Sequence, residues 1–367
     1  MTSLFDPIQA GDLDLANRVV MAPLTRNRSP QAVPPDFAAT YYAQRASAGL
    51  LISEGTAVSH QGQGYSDVPG LYGTDQLDAW KRVTDAVHAE GGKIVVQLWH
   101  VGRVSHTDLQ PEGGKPVGPS AIAAKTKTVL IRDGVPGFVE TSEPRALESD
   151  ELPGIVHSFA AAARNAVETA GFDGVEIHGA NGYLLDQFLK NGSNKRTDDY
   201  GGSIQNRARL LLEITRAVAD AVGGGKTGVR ISPVTPSNDV HDDNPQPLFE
   251  YVMKQLAPLG LAYVHVIEGA TGGPRDLADR PFDYEALKTV YRQAGGKAAW
   301  MVNNGYDKPL ADEALKEGDD LVAFGKPFIS NPDLVRRLRE GAPLNPWDNS
   351  TFYGGREKGY TDYPALA

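Results

Sequence analysis

The chain has no cysteine among its 367 residues. This absence excludes disulfide bonds, thiolate metal sites, iron–sulfur clusters and cysteine nucleophiles. The chain also has no run of about 18 or more apolar residues, and its first residues, MTSLFD, lack the basic and apolar regions of a signal peptide. We therefore expect a cytoplasmic protein without membrane contacts, whose chemistry depends on oxygen, nitrogen or a bound cofactor.

Positive charge is also scarce. The 36 Lys and Arg residues face 46 Asp and Glu residues, which gives a formal net charge of −10. Such a surface repels phosphate backbones over long range, so nucleic acid is not an expected partner. The apolar content of 41% is that of an ordinary globular chain with enough material for a core.

Short segments rich in β-branched residues alternate with segments whose apolar residues recur every three or four positions. The predicted strands are 18–24, 49–58, 93–100, 174–179, 227–233, 262–268, 298–303 and 320–325. The predicted helices include 75–89, 149–170, 203–222, 247–256 and 309–317. Repeated βα units need parallel strands joined by right-handed crossovers, and eight of them close most simply into a (β/α)8 TIM barrel.

A doubly wound open sheet is the alternative fold, but no glycine-rich turn follows the first strand, where the sequence is APLT. The run GGGKTG at 223–228 has the spacing of a nucleotide-binding loop, yet it precedes a strand, which indicates a loop that ends a helix. We expect one barrel domain over 1–367. The stretch 102–145 is too long for a βα loop and predicts a lid-like excursion after the third strand.

The active site of such a barrel lies where the strands end. His178 and Asn181 follow the fourth strand and stand three residues apart, so both can donate a hydrogen bond to one carbonyl or nitro oxygen. Two such donors would stabilise the enolate-like charge that develops when hydride adds at the far carbon. Tyr183 offers a phenol that can deliver a proton to the other carbon.

Gln97 and Arg230 lie near the ends of the third and fifth strands, inside a barrel whose interior is normally apolar. An amide that donates and accepts, together with a fixed cation, suits the pyrimidine edge of a flavin. The alternative is an internal salt bridge from Arg230 to Glu54 or Glu268.

The seventh and eighth strands end in residues typical of a phosphate site. Asn304 and Gly305 follow one of these strands, and Gly325 and Lys326 follow the other. Loops at these positions of a barrel often bind phosphate through backbone amides. Turn glycines beside a solvent-exposed lysine are the other interpretation.

The chain resembles the Old Yellow Enzyme family, specifically its bacterial ene-reductase branch, from end to end. The resemblance rests on NRVVMAPLTR at 17–26, QLWHVGR at 97–103, HGANGYLLDQFL at 178–189, DDYGGS at 198–203, FGKPFISNPDL at 324–334 and FYGG at 352–355. It implies a non-covalent FMN that NADPH or NADH reduces and that an activated alkene then oxidises. The expected substrates are α,β-unsaturated carbonyl and nitro compounds, with nitrate esters as a further class.

The resemblance also implies roles for individual residues. Thr25 would bond the flavin O4, Ala57 would offer backbone contacts, and His178 and Asn181 would bind the substrate's activating group. The full set of expected cofactor contacts is Pro23, Leu24, Thr25, Ala57, Gln97, Arg230, Asn303, Asn304, Gly305, Phe324, Gly325 and Lys326. The expected substrate pocket is lined by Tyr65, Trp99 and Tyr353. Tyr183 would be the proton donor, on the face opposite to the hydride from flavin N5.

The chain departs from its relatives at two places. Asn181 stands where bacterial relatives often have a second histidine. The run Asn303-Asn304-Gly305 and Lys326 replace what is commonly Ala-Gly and Arg, which changes the expected phosphate contacts.

Two other functions are compatible with parts of the sequence. A metal-dependent barrel hydrolase would use His100, His178 and His265, although we interpret His265 as an interior histidine with its hydrogen bonds satisfied. A flavin-storage protein without catalytic activity would leave Tyr183, His178 and Asn181 unexplained.

Overall fold

A computed structural model describes residues 2–132 and 135–367. Eight parallel strands form a closed barrel in which each strand pairs with its neighbours in the chain and the last pairs with the first. The strands are β1 (Val19–Met21), β2 (Leu50–Ala57), β3 (Ile94–Trp99), β4 (Gly174–Gly179), β5 (Thr227–Ile231), β6 (Tyr263–Ile267), β7 (Ala299–Asn303) and β8 (Leu321–Phe324). The predicted TIM barrel is confirmed, and the doubly wound sheet is wrong.

Helices follow the strands around the outside of the barrel. They are α1 (Asp36–Ala43), α2 (Thr74–Ala89), α3 (Leu152–Arg164), α4 (Leu184–Leu189), α5 (Ile204–Val222), α6 (Pro245–Leu256), α7 (Tyr284–Gln293), α8 (Lys308–Lys316), α9 (Lys326–Ser330) and α10 (Leu334–Glu340). The five predicted helices correspond to α2, α3, α5, α6 and α8. The predicted helix at 149–170 continues beyond α3 as a wider π turn at Asn165–Thr169.

An N-terminal hairpin closes the bottom of the barrel. Its strands, Ile8–Ala10 and Leu13–Leu15, pair antiparallel. Its buried residues pack against side chains inside the barrel, among them Val20, Ile52 and Met301. This end of the barrel is therefore covered by apolar contacts, and the opposite end is where such barrels bind ligands.

The GGGKTG run ends a helix, as predicted. Helix α5 stops at Val222, and Gly223 has a positive φ of 97°, a conformation that favours glycine. A short 3-10 turn at Gly224–Lys226 then leads into β5.

The predicted excursion at 102–145 has its own secondary structure. Its main feature is a hairpin of Lys127–Arg132 paired antiparallel with Val135–Glu140. A second, two-residue pairing joins Val117–Gly118 to Arg145–Ala146. Residues 133 and 134, which belong to the predicted excursion, lie outside the described residues.

Across the described ranges, no helix is both long and apolar enough to cross a membrane.

Candidate active site

A cavity of about 940 Å³ lies at the carboxyl end of the barrel strands. Its size lies within the range of small-molecule and cofactor sites, which is roughly 300–1,000 Å³. Most of the residues that the sequence assigned to a site line it: Pro23, Leu24, Thr25, Tyr65, Trp99, Asn181, Tyr183, Arg230, Asn303, Asn304, Gly305, Phe324, Gly325, Lys326 and Tyr353. Ala57, Gln97 and His178 are not among the lining residues.

The backbone groups of Ala57 bond other parts of the protein. The residue is fully buried at the end of β2, its N–H donates to the carbonyl of Pro69 at 2.8 Å, and its carbonyl accepts from the N–H of Leu71 at 3.0 Å. The chain after β2 folds back on Ala57 and engages both backbone groups. Its carbonyl keeps a second lone pair, so the predicted backbone contacts of Ala57 with a flavin stay a prediction.

The turn after β4 is held in a conformation that few residues adopt. Asn181 and Gly182 both have positive φ, 57° and 75°. The Asn181 N–H donates to Ser232 Oγ at 2.8 Å, and its carbonyl accepts from Asn238 Nδ2 at 2.8 Å. A Cβ at Gly182 would lie 2.5 Å from the carbonyl oxygen of Ser237, so only glycine fits there.

A buried ion pair lies behind this turn. Asp186 accepts the N–H of Gly182 at 2.9 Å and the Lys190 ammonium at 2.9 Å, while the same ammonium also donates to the carbonyl of Ser232. The two charged side chains are at most 1% exposed. Because Asp186 bonds the turn directly, the pair fixes the backbone that carries Asn181 and Tyr183.

His178 and Asn181 are both able to act as neutral donors. Burial, and then the charge of Arg230, lower the pKa of His178 well below its ordinary value, so the imidazole is uncharged at neutral pH. The Asn181 carbonyl oxygen Oδ1 accepts a hydrogen bond of 2.6 Å from the hydroxyl of Thr271. That contact leaves Asn181 Nδ2 as the group able to donate into the cavity.

The Tyr183 phenol lies against two aromatic rings. Its hydroxyl is 3.0 Å from that of Tyr65, and its ring meets the Trp99 indole edge-on with centroids 4.9 Å apart. Trp99 in turn stacks on Tyr65. Burial raises the pKa of Tyr183 above its ordinary value, so the phenol keeps its proton at neutral pH.

A network of polar side chains, which we call the floor, lies inside the barrel below the cavity. It consists of Gln97, Glu176, Arg230, His265 and Asn303, all of them buried. Gln97 Nε2 donates to one Glu176 oxygen at 2.8 Å, and His265 Nδ1 lies 2.8 Å from the other. Arg230 Nη2 donates to Asn303 Oδ1 at 2.8 Å.

The contacts of the floor test two interpretations from the sequence, one of Arg230 and one of His265. Arg230 pairs with neither Glu54 nor Glu268, so the proposed salt bridges are wrong: Glu54 accepts the backbone N–H of Arg26, and Glu268 pairs with Arg275. His265 is an interior histidine, as interpreted, because it is fully buried and its Nδ1 bonds Glu176. Its Nε2 has no partner within the described residues, so its hydrogen bonds are only half satisfied.

The side chains of the asparagines after β7 bond other parts of the protein. Asn303 Nδ2 donates to the carbonyl of Ala323 while its Oδ1 holds Arg230. Asn304 Nδ2 donates to the carbonyls of Glu268 and Ala270, and its Oδ1 accepts the N–H of Gly272. Both side chains therefore brace the protein itself, whereas the predicted phosphate contacts, which use backbone amides, stay a prediction.

Backbone donors remain at this end of the cavity. Within the described ranges, the N–H groups of Asn304, Gly305 and Gly325 donate to no other protein group. Lys326 is exposed at the first position of α9 and also lines the cavity. The combination of free backbone N–H groups and one cation is suited to an anion.

The segment after α10 is anchored by arginines beneath it. Arg26 Nε donates to the carbonyl of Phe352, and Arg28 Nη2 donates to that of Thr351. Tyr353 follows this anchor and lines the cavity with 53% of its surface exposed. The position of Tyr353 thus depends on side chains from the loop after β1.

The metal-hydrolase alternative finds no support. The described part of the chain contains no group of three or more side chains able to hold a metal ion. His100 instead accepts the N–H of Gly102 at 3.1 Å, and burial lowers its pKa to about 3.

Two residues of the site were missed by sequence reasoning. Glu176 is a charged residue between the apolar Val175 and Ile177 of a predicted barrel strand, and that pattern was the signal available. Thr271 lies in the loop after β6, and no local pattern indicates that its hydroxyl reaches Asn181.

Comparison with known proteins identifies the family. The model of the NADH:flavin oxidoreductase / NADH oxidase family matches residues 3–345. The chain belongs to the Old Yellow Enzyme family. It is 46% identical to 12-oxophytodienoate reductase 7 of Oryza sativa subsp. japonica over 99% of this chain and 94% of that protein.

Solved structures of the family have the same fold. Morphinone reductase in complex with tetrahydroNAD is 47% identical, with a TM-score of 0.93 over 100% of this chain and 98% of that chain. The Old Yellow Enzyme homologue from Zymomonas mobilis is 42% identical, with a TM-score of 0.93 over 99% of this chain and 100% of that chain. The chain is an NAD(P)H-dependent flavin oxidoreductase of the ene-reductase type.

Proposed function

We propose that the protein binds FMN without a covalent bond and uses it to reduce C=C bonds conjugated to a carbonyl or nitro group. NADPH or NADH supplies the electrons, and nitrate esters are a further substrate class. The observation that carries this proposal is that Tyr183, Asn181 and Arg230 line a single cavity whose far end has free backbone N–H groups.

The residues present fit a flavin. Arg230 Nε is buried and has no hydrogen-bond partner within the described residues. Native structures rarely leave such a buried donor unpaired, because this is costly. An acceptor at the pyrimidine edge of a flavin would satisfy it, and the N–H groups of Asn304, Gly305 and Gly325 with Lys326 would hold the phosphate. Pro23, Leu24, Thr25 and Phe324 line the cavity between these two ends. The bound flavin supplies the hydride.

His178 and Asn181 orient and polarise the substrate. A neutral imidazole N–H and the Nδ2 of Asn181 would both donate to the carbonyl or nitro oxygen. Negative charge grows on this oxygen as hydride arrives at the far carbon. The two donors are already in place, so they stabilise that charge without having to reorganise.

Tyr183 delivers the proton. Its raised pKa keeps the phenol protonated, and the hydroxyl of Tyr65 at 3.0 Å can stabilise the phenolate left after transfer. Trp99, Tyr65 and Tyr353 provide an apolar wall for the substrate.

We also propose that the whole chain is one barrel domain and that the excursion at 102–145 acts as a lid. Val129 and Phe138 of its hairpin line the cavity, and Phe138 is 70% exposed. A cytoplasmic location and the absence of nucleic-acid partners stay predictions from the sequence.

Purified protein tests the proposal directly. We expect a yellow protein that releases FMN on heating, is bleached by NADPH or NADH under anaerobic conditions and regains its colour when an enone is added. Colourless protein that neither contains FMN nor takes it up would contradict the proposal. Bleaching without reoxidation by any enone or nitroalkene would retain the flavin but refute the substrate class.

A further inference from the structure

Glu176 is a carboxylate sealed inside the barrel, and its role is not explained by substrate binding. It is fully buried, does not line the cavity and lies on β4 directly opposite Gln97 of β3 in the strand register. Both of its oxygens are engaged, one by Gln97 and the other by His265. Even a paired buried carboxylate is often no more stabilising than an apolar side chain of similar volume, so stability alone does not explain Glu176.

The first consequence of Glu176 concerns the orientation of Gln97. A carboxylate only accepts hydrogen bonds, so Gln97 must turn its Nε2 toward Glu176. Its Oε1 accepts no hydrogen bond from any residue within the described ranges. Glu176 therefore leaves Gln97 Oε1 as an acceptor, which is the group that an N–H on a flavin's pyrimidine edge requires.

The second consequence concerns charge. Although burial opposes ionisation, His265, Arg230 and Gln97 together lower the pKa of Glu176 below its ordinary value, so the group is anionic. Burial lowers the pKa of Arg230, and the Glu176 charge is the foremost influence in the opposite direction. The pKa of His265 is also lowered, chiefly by burial, so that ring adds no charge. The floor thus contains one anion and one cation.

We propose that Glu176 is a positioning residue that offsets Arg230 and thereby lowers the reduction potential of the bound flavin. Arg230 alone would favour the reduced flavin, which carries negative charge, over the oxidised one. Glu176 cancels part of this preference through a low-dielectric interior, where charges act strongly on each other. The inference rests on the proposed binding of FMN.

The test compares wild type with Glu176→Gln. Glutamine has the shape of glutamate and can accept from Gln97 with its oxygen while donating to His265 with its nitrogen. Apoprotein is titrated anaerobically with oxidised FMN and with dithionite-reduced FMN, and the potential of the holoprotein is measured by equilibration with reference dyes. We expect the ratio of the two dissociation constants to shift at least tenfold in favour of reduced FMN, which for a two-electron couple is about 30 mV more positive.

Two controls accompany this substitution. Glu176→Asp keeps the charge, so its ratio should stay within about threefold of wild type. Asp319→Asn removes another buried carboxylate, which pairs with Lys288 away from the cavity, and should leave the ratio unchanged. If Glu176→Gln does not fold, the double variant Glu176→Leu/His265→Leu replaces the pair with apolar side chains. We expect the same shift in its ratio of dissociation constants.

A purely structural role would weaken oxidised and reduced FMN equally. An unchanged ratio in Glu176→Gln, with the wild type still binding FMN, would overturn this inference and leave the proposed function intact. Wild-type protein that binds neither form of FMN would overturn both.

Discussion

On the floor of the cavity, Gln97, Glu176 and Arg230 lie on barrel strands and are at most 5% exposed, whereas at its rim Thr271, Lys326 and Tyr353 lie beyond the strands and are exposed. Every polar side chain of the floor is bonded to another one. The rim residues meet solvent, and Thr271 contacts the site through one hydrogen bond, from its hydroxyl to Asn181. The difference indicates that the floor sets the electronic properties of the site and the rim sets what is admitted to it.

Tyr183 lies where floor and rim meet, and its loss should have the largest effect. Tyr183→Phe should slow the reoxidation of the flavin by enones about 10²–10⁴-fold, because general acid catalysis contributes that much. Reduction by nicotinamide should stay within about threefold of wild type, as stopped-flow absorbance of each half-reaction would measure. Tyr65→Phe, which removes the neighbouring hydroxyl only, is the matched control and should slow reoxidation less than about tenfold. Equal slowing of both half-reactions by Tyr183→Phe would contradict its role as proton donor.

The second prediction compares two ion pairs with the same spacing. Lys190→Met leaves Asp186 buried without its partner and should lower the free energy of unfolding by about 3–5 kcal/mol. Lys81→Met breaks the pair with Asp85 on the surface of α2 and should cost about 0–1 kcal/mol. Urea denaturation followed by circular dichroism measures both. Similar losses in the two variants would refute the claim that the Asp186 pair supports the turn after β4.

The third prediction concerns pH. Burial raises the pKa of Glu54, beside the loop that carries Thr25, to about 7 from an ordinary 4.5. Because the folded state holds this proton more tightly than the unfolded state, stability is lost as pH rises from about 4.5 to about 7. Between pH 5 and pH 8, the unfolding free energy of Glu54→Gln should therefore fall by about 2.5 kcal/mol less than that of wild type, at 1.36 kcal/mol per pKa unit. Parallel pH profiles of the two unfolding free energies would rule this out.

At the rim, Lys326→Ala should weaken FMN binding about fivefold, since an exposed cation contributes about 1 kcal/mol or less. The loss should shrink at high salt, and riboflavin, which has no phosphate, should bind equally well to both proteins. Fluorescence titration of apoprotein measures these affinities, with Lys316→Ala on α8 as a control that does not line the cavity. An equal loss for riboflavin would place Lys326 away from the phosphate.

The smallest effect is expected at Thr271. Thr271→Val keeps the shape of the side chain but frees the Asn181 amide to rotate. A phenolate ligand, whose oxygen would accept hydrogen bonds from His178 and Asn181, should therefore bind about threefold more weakly. Thr271→Ser retains the hydroxyl and should behave like wild type. Charge-transfer absorbance of the bound phenolate reports the affinity, and indistinguishable dissociation constants for Val and Ser would show that Thr271 does not orient Asn181.

Much of this molecule could be predicted from its sequence. Each predicted barrel strand contains the observed one, because alternation of β-branched segments with helical periodicity is a local property. Fifteen of the eighteen expected site residues line one cavity, because parallel strands of a barrel bring their carboxyl ends together. The individual roles of these residues stay predictions until the variants are measured.

Ala57, Asn303 and Asn304 show what the sequence left open. Each lies at the expected end of a strand, but the backbone of Ala57 and the side chains of the two asparagines already bond Leu71, Arg230 or the loop after β6. The residue type tells us whether a group can donate or accept a hydrogen bond. Whether the group is already bonded depends on partners that are far away in the chain.

The sequence by itself determined the barrel, the absence of thiol chemistry and the set of groups at the strand ends, because these follow from composition and short-range pattern. Only the tertiary structure decided that Glu176 bonds Gln97 and His265 and that Thr271 holds Asn181. Those contacts join β3, β4 and β6 or the loops that follow them, and they exist because closure of the barrel fixes the register of strands that are distant in the chain.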